Sequence, residues 1–180
     1  MSLSVSTPPS PDLALNGFPA PHGALVAGSG GVALTGSRAY YARFVPTRNL
    51  AVSKIAFATS VAAGANDNVD VGIYNAAGER IVSSGATAGK LNASAGVQTV
   101  SITETALTAG TVYYAALACG ALGGTAATVI MTAAGAGSGD LFGTAVGTVI
   151  TGVQNSAATL PATAVIASGH LVPLLAVRSS

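Results

Sequence analysis

The chain has 180 residues, half of them hydrophobic, yet only seven Lys and Arg and six Asp and Glu, for a net charge of +1. A globular domain ordinarily gives about a quarter of its positions to these four residue types, and the few cations here are too scattered for the clustered footprint that phosphate binding needs, so nucleic acid is excluded as an expected partner. A lone soluble monomer keeps water around it with charge, and an exterior this neutral predicts that much of it lies against other protein.

Residues 1–37 read as an extended arm. Five of the eight prolines, Pro8, Pro9, Pro11, Pro19 and Pro21, fall before residue 22. Proline lacks a backbone donor and fixes φ, so a stretch this rich in it is expected to form neither helix nor inner strand and to order itself on a partner. The opening MSLSVSTPPSPDLALNGFPAPHG carries no Lys or Arg, and the first is Arg38. A secretory signal begins with positive charge, and no apolar run reaches the ~20 residues of a membrane span. The expectation is a chain made in the cytoplasm, without membrane insertion.

From residue 38 to residue 180 the pattern becomes that of one domain of short strands. Ile55, Phe57, Thr59 and Val61 share one face of a strand at 54–61, and Val69, Val71 and Ile73 repeat the two-residue period. Further strands are expected at 39–45, 80–84, 97–103, 111–119, 126–132 and 171–177, eight in all with that of Val69 to Ile73. Gly, Thr and Val break the Ala-rich pieces every few residues, which argues against helix despite alanine's propensity. Asn75, Ala76, Ala77 and Gly78 form a tight connection with a glycine available for positive φ, and Ala109 and Gly110 open the next strand in the same way. Many short strands without βαβ alternation predict an all-β, antiparallel β-sandwich, jelly-roll-like, preceded by the extended arm. A Gly- and Thr-rich insert near 135–155 is expected to be a long excursion carrying a small hairpin.

Residues 38–131 contain the phrases RAYYARFVPTRNLAVSKIAFATSV, NVDVGIYNAAGERIVSSG and LTAGTVYYAAL. In strand order and wording this stretch resembles the β-sandwich domains of tail and head surface proteins of tailed bacteriophages, especially those of actinobacteria. The resemblance implies a virion structural role in a symmetric homo-oligomer, a trimer among the options. It carries no catalytic residues with it.

The chain has two histidines, His22 in the arm and His170 before the last strand. A hydrolytic triad needs a histidine held between a nucleophile and a carboxylate, and neither position offers that, nor is there a G-x-S-x-G elbow, P-loop or H-E-x-x-H motif. Among the six acids, Asp12, Asp67, Asp70, Glu79, Glu104 and Asp140, nothing singles out a catalytic pair. Asp67 and Asp70 with their neighbouring asparagines are a weak calcium candidate, two carboxylates where calcium takes six to eight oxygens, and Asp70 is read as facing solvent. Cys119, the single cysteine, reads as a buried thiol. No cofactor is expected.

The remaining candidates are aromatic. Neighbouring strand residues point to opposite faces, so the doublets Tyr40-Tyr41 and Tyr113-Tyr114 are each expected to bury one ring and present the other. An outward tyrosine suits a protein interface, with Arg43 and Arg48 beside it; a glycan platform is the alternative, although the chain has no Trp. The expected protein is therefore a non-enzymatic component of the virion surface, a minor tail or tail-fibre protein assembled in the host cytoplasm and held to other virion proteins through the arm. A capsid decoration protein or head fibre, and a carbohydrate-binding module meeting a host-surface glycan, are the alternatives.

Overall fold

A computed structural model describes residues 14–15, 32–34, 36–61, 68–88, 90, 95–120, 127–129, 131–133, 151–155, 159–165, 167–168, 171–173 and 175–178. The described residues are all-β, with no helix among them. In chain order the strands are β1 (Ala14–Leu15), β2 (Val32–Ala33), β3 (Arg38–Phe44), β4 (Leu50–Val61), β5 (Val69–Asn75), β6 (Arg80–Ser83), β7 (Gly96–Leu107) and β8 (Tyr113–Cys119), followed by β9 (Thr128–Val129), β10 (Met131–Ala133), β11 (Thr151–Asn155), β12 (Ala167–Ser168), β13 (Leu171–Pro173) and β14 (Ala176–Arg178).

Two antiparallel sheets face each other. The first is built on β4, with β7 along one side and β14 and β9 end to end along the other; β1 and β2 extend it outward from β14 and β9. The second runs β12-β11-β3-β8-β5-β6. Between them lie Tyr40, Phe44, Val52, Ile55, Phe57, Val71, Ile73, Val100 and Leu117, all buried in one continuous core. Alternation does what the sequence period predicts: Val69, Val71 and Ile73 point inward from β5, and Ile55 and Phe57 from β4.

Strand β4 holds more than simple alternation allows. Leu50 and Val52 face the core, and so do Ile55 and Phe57, an odd spacing that a regular strand cannot bury on one side. The register with β7 shifts between Val52 and Lys54, and this irregularity turns both halves inward. On β7 the same shift lets Val100 and Ile102 face the core before it and Leu107 after it.

Several boundaries differ from expectation. The single strand expected at 126–132 divides: Val129 pairs with Thr59 in the first sheet, whereas Met131 pairs with Pro173 in a separate two-stranded sheet. The expected strand at 171–177 divides likewise into β13 and β14, and the break follows Pro173, which has no N–H to give a ladder. Within the stretch read as an arm with neither helix nor inner strand, β1 and β2 are edge strands that pair with β14 and β9, and Leu34 is buried in the core with its amide on the Ala127 carbonyl at 2.8 Å. The rest of residues 1–31 lies outside the described residues. Of the insert at 135–155, the described part is β11, which joins the second sheet beside β3.

The connections behave as their residues dictate. Gly78 has φ +83° and closes the β5–β6 turn, where the Asn75 side-chain carbonyl accepts from the Ala77 and Glu79 amides at 3.0 and 2.9 Å. Gly110 has φ +74° and its amide donates to the Pro46 carbonyl at 2.9 Å.

Candidate functional site

The outer face of the second sheet, turned away from the inter-sheet core, gathers most of the described polar chemistry. Register places its residues in rows across β3, β8, β5 and β6. Ala39, Ala118 and Asp70 form one row; Tyr41, Ala116, Gly72 and Ser83 the next; Arg43, Tyr114, Tyr74 and Arg80 the third. Small residues occupy the middle of this face and tyrosines wall it, so the face has a hollow. Leu160 fills that hollow and forms a second buried cluster with Ala39, Tyr41, Tyr74, Ala116 and Ala118.

Residues 159–165 cross the face as a strap held chiefly by backbone. The Leu160 amide donates to Asp70 Oδ2 at 2.9 Å, and the Leu160 carbonyl accepts from the Arg80 guanidinium. Tyr74 donates its hydroxyl to the Pro161 carbonyl at 2.6 Å. Further along, the Arg80 amide donates to the Ala162 carbonyl at 2.9 Å and the Ala164 amide to the Gly78 carbonyl at 2.8 Å, so the strap runs antiparallel to the start of β6. Gly72 makes the close approach possible: a Cβ there would collide with the Val82 carbonyl and stand 2.8 Å from Leu160 Cδ1.

Asp70 is the centre of this arrangement, which corrects its reading as a solvent-facing residue. It is 1% exposed, and Ser83 and Ser84 donate to its Oδ1 at 2.8 and 3.3 Å while Leu160 holds Oδ2. The cause is the strap, which turns the outward side of β5 into an interior. Both carboxylate oxygens are thus engaged by protein donors. Asp67, its proposed companion for calcium, lies outside the described residues, as do His22 and His170. Among the described residues no three of His, Cys, Asp and Glu come together as a metal site.

The tyrosine doublets alternate as strand geometry requires; the expected exposure of one ring is corrected at Tyr40-Tyr41, whereas Tyr113-Tyr114 buries one ring and leaves the other half-buried. Tyr40 and Tyr113 point into the inter-sheet core at 4% and 7% exposure; Tyr41 points outward and is nevertheless fully buried, because the strap and Tyr74 cover it. Its ring meets that of Tyr74 edge to face, centroids 5.3 Å apart. Only Tyr114 keeps part of its surface in solvent, next to the half-buried Arg43. Arg48 is exposed in the connection between β3 and β4.

Burial sets the electrostatics of the covered face. It pushes the Tyr41 hydroxyl above its ordinary range, helped by the nearby Asp70 charge, against a hydrogen bond to Tyr74 that lowers it. Tyr74 is pushed far higher, by burial first and then by Tyr41. Cys119, at the end of β8, is buried as expected; desolvation raises its thiol, and its sulfur lies 3.8 Å from the Arg38 carbonyl. A thiol raised in this way is a poor nucleophile.

What the arrangement does chemically is hold a segment of chain by its main-chain groups, with one aliphatic side chain seated in a glycine-floored hollow. Gly72, Tyr74, Arg80 and Leu160 were not among the residues singled out from sequence. The available signals were a glycine inside an otherwise apolar strand and an aspartate between two valines. No protein-family model matches the chain, and no curated protein or solved structure matches it either.

Proposed function

We propose that this chain is a non-enzymatic structural component of a tailed-phage particle, a minor tail or tail-fibre protein exposed at the particle surface. The observation that carries the reading is how the described ionic and polar groups are disposed. Asp70, Tyr74 and Arg80 are committed to fastening the strap, Glu79 is bonded to Asn75 at 2.8 Å, and the outer face of the first sheet consists mainly of Ala, Ser and Thr. Apart from Lys54, Glu104 and Arg178, that face offers neutral surface to neighbours, as an assembled coat or tail protein requires. The phage-like phrases of β3 to β8 point the same way.

The structural reading is preferred to a carbohydrate-binding module because Tyr40, Tyr41 and Tyr113, three of the four rings that a glycan platform would draw on, are buried. Immunogold labelling of intact particles with antibody against this chain tests the assignment. Label on the tail is the expected result. Label on the head converts the reading to a capsid decoration protein or head fibre, and particles that neither label nor contain the chain by mass spectrometry refute it.

A further inference from the structure

The outer face of the first sheet presents an arrangement that the fold itself does not explain. Register sets Arg178 of β14 directly opposite Lys54 of β4, and Lys54 opposite Ser101 of β7. Arg178, Lys54 and Ser101 are all exposed. Residues directly opposite in an antiparallel pair have Cβ atoms about 5 Å apart, and like charges in that position repel. Two of only seven cations in the chain are therefore placed where an isolated molecule is slightly destabilised by them. Further along β7 stands Glu104, exposed and in the same outward phase as Ala106, whose register partner is Ala51. Around these three charges the face is low, with Ala56, Ala58, Thr99 and Thr103, and Val97 stands 70% exposed at its end.

A face carrying both signs, displaced from one another along the sheet, is complementary to itself after a half-turn. A polyanion laid across it would meet Glu104, and a polycation would meet Lys54 and Arg178. The dimensions suit a protein partner. β4 and β7 are each 12 residues long, which at ~3.3 Å per residue is about 40 Å. With the flanking strands the platform is about 15 Å wide, giving roughly 600 Å² in projection before side-chain relief, close to the ~800 Å² per partner of a standard interface.

We infer that this face is the contact between two copies of the chain, packed sheet against sheet about a two-fold axis, with Glu104 of each copy set against Lys54 and Arg178 of the other. In such an isologous contact each charge occurs twice and is satisfied twice, and the low side chains let the two sheets approach to the ~10 Å of aligned sheet packing. The repulsion between Lys54 and Arg178 is relieved by the carboxylate that comes between them. The inference deepens the reading of the chain as an assembly protein by naming the partner of one of its faces.

The test uses the purified full-length chain, so that its failure leaves the particle assignment to be judged by labelling alone. Sedimentation velocity over a concentration series is expected to show a monomer–dimer equilibrium that weakens as salt is raised. The double variant Lys54→Glu, Arg178→Glu and the single variant Glu104→Lys each bring like charges together across the contact, and each is expected to weaken dimerisation at least about a hundredfold. Combining all three substitutions in one chain restores complementarity and is expected to restore the dimer. All three side chains are exposed, and unchanged circular dichroism of each variant verifies folding. A wild-type chain that stays monomeric throughout the series, a dimer indifferent to both reversals, or a combined variant that does not recover would each overturn the inference.

Discussion

The two sheets of this sandwich differ most on the sides they turn away from each other. On the second sheet, a strand pattern that places Asp70, Gly72 and Tyr74 outward is converted into interior by residues 159–165, and Leu160 is 1% exposed there. On the first sheet the outward residues Lys54, Ser101, Glu104 and Arg178 remain in solvent. Both faces come from the same alternation of strand residues. Among the described residues, what separates them is the strap across the second sheet, and this decides whether a polar side chain there serves folding or remains available to a neighbour.

The sharpest way to break the contrast is to close the hollow under the strap. Gly72→Val is expected to lower stability by about 4 kcal/mol or more, since its side chain would occupy space held by the Val82 backbone and by Leu160. Poor recovery of folded protein and loss of a cooperative urea transition would register it; a wild-type transition would show that the face is looser than described. Leu160→Ala keeps the strap's hydrogen bonds and removes its apolar seat, with an expected loss of about 3 kcal/mol in urea unfolding.

Tyr74→Phe deletes one donor and leaves the Pro161 carbonyl without it, for a loss of about 1 to 2 kcal/mol at neutral pH. The same residue should shape the alkaline limb of the stability curve. Tyr41 and Tyr74 are raised above their ordinary 10.0 in the fold, so below that value both folded and unfolded chains are protonated and stability is unaffected. Above it the unfolded chain ionises while the folded one holds its protons, and stability falls as pH rises. Thermal melts from pH 9 upward should show a shallower decline for Tyr74→Phe than for wild type. Equal slopes would remove the buried tyrosines as the cause.

The smallest effect belongs to the exposed charges of the first sheet. Lys54→Ala is expected to change the stability of the monomer by no more than about 0.5 kcal/mol, and toward stabilisation, because it removes a like-charge neighbour of Arg178. A loss comparable with that of Leu160→Ala would erase the distinction between the two faces.

Much of the sandwich was legible in the residues. The two-residue period of Val69, Val71 and Ile73 gives the inward side of β5 directly, and Gly78 and Gly110 mark turns that adopt positive φ. The register shift in β4 was not legible, because Leu50, Val52, Ile55 and Phe57 read singly as strand formers and only the partner strand reveals that they share a side. The strap was hidden for a related reason. Residues 159–165, TLPATAV, have neither strand period nor helical period, since their conformation is dictated by the surface beneath them. Asp70 was assigned to the correct side of its strand and to the wrong environment, and the ring that the Tyr40-Tyr41 doublet was expected to present is covered. Alternation fixes direction, whereas exposure depends on distant chain.

The lone thiol makes this molecule its own stopwatch. Cys119 ends β8 between β3 and β5, in register with Arg38 on one neighbour and Val69 on the other, and its side chain is buried in the inter-sheet core, so an aqueous thiol reagent reaches it only when that end of the core opens. Its labelling rate therefore clocks the opening of the core at that end of β8 in the intact chain, with no engineered probe.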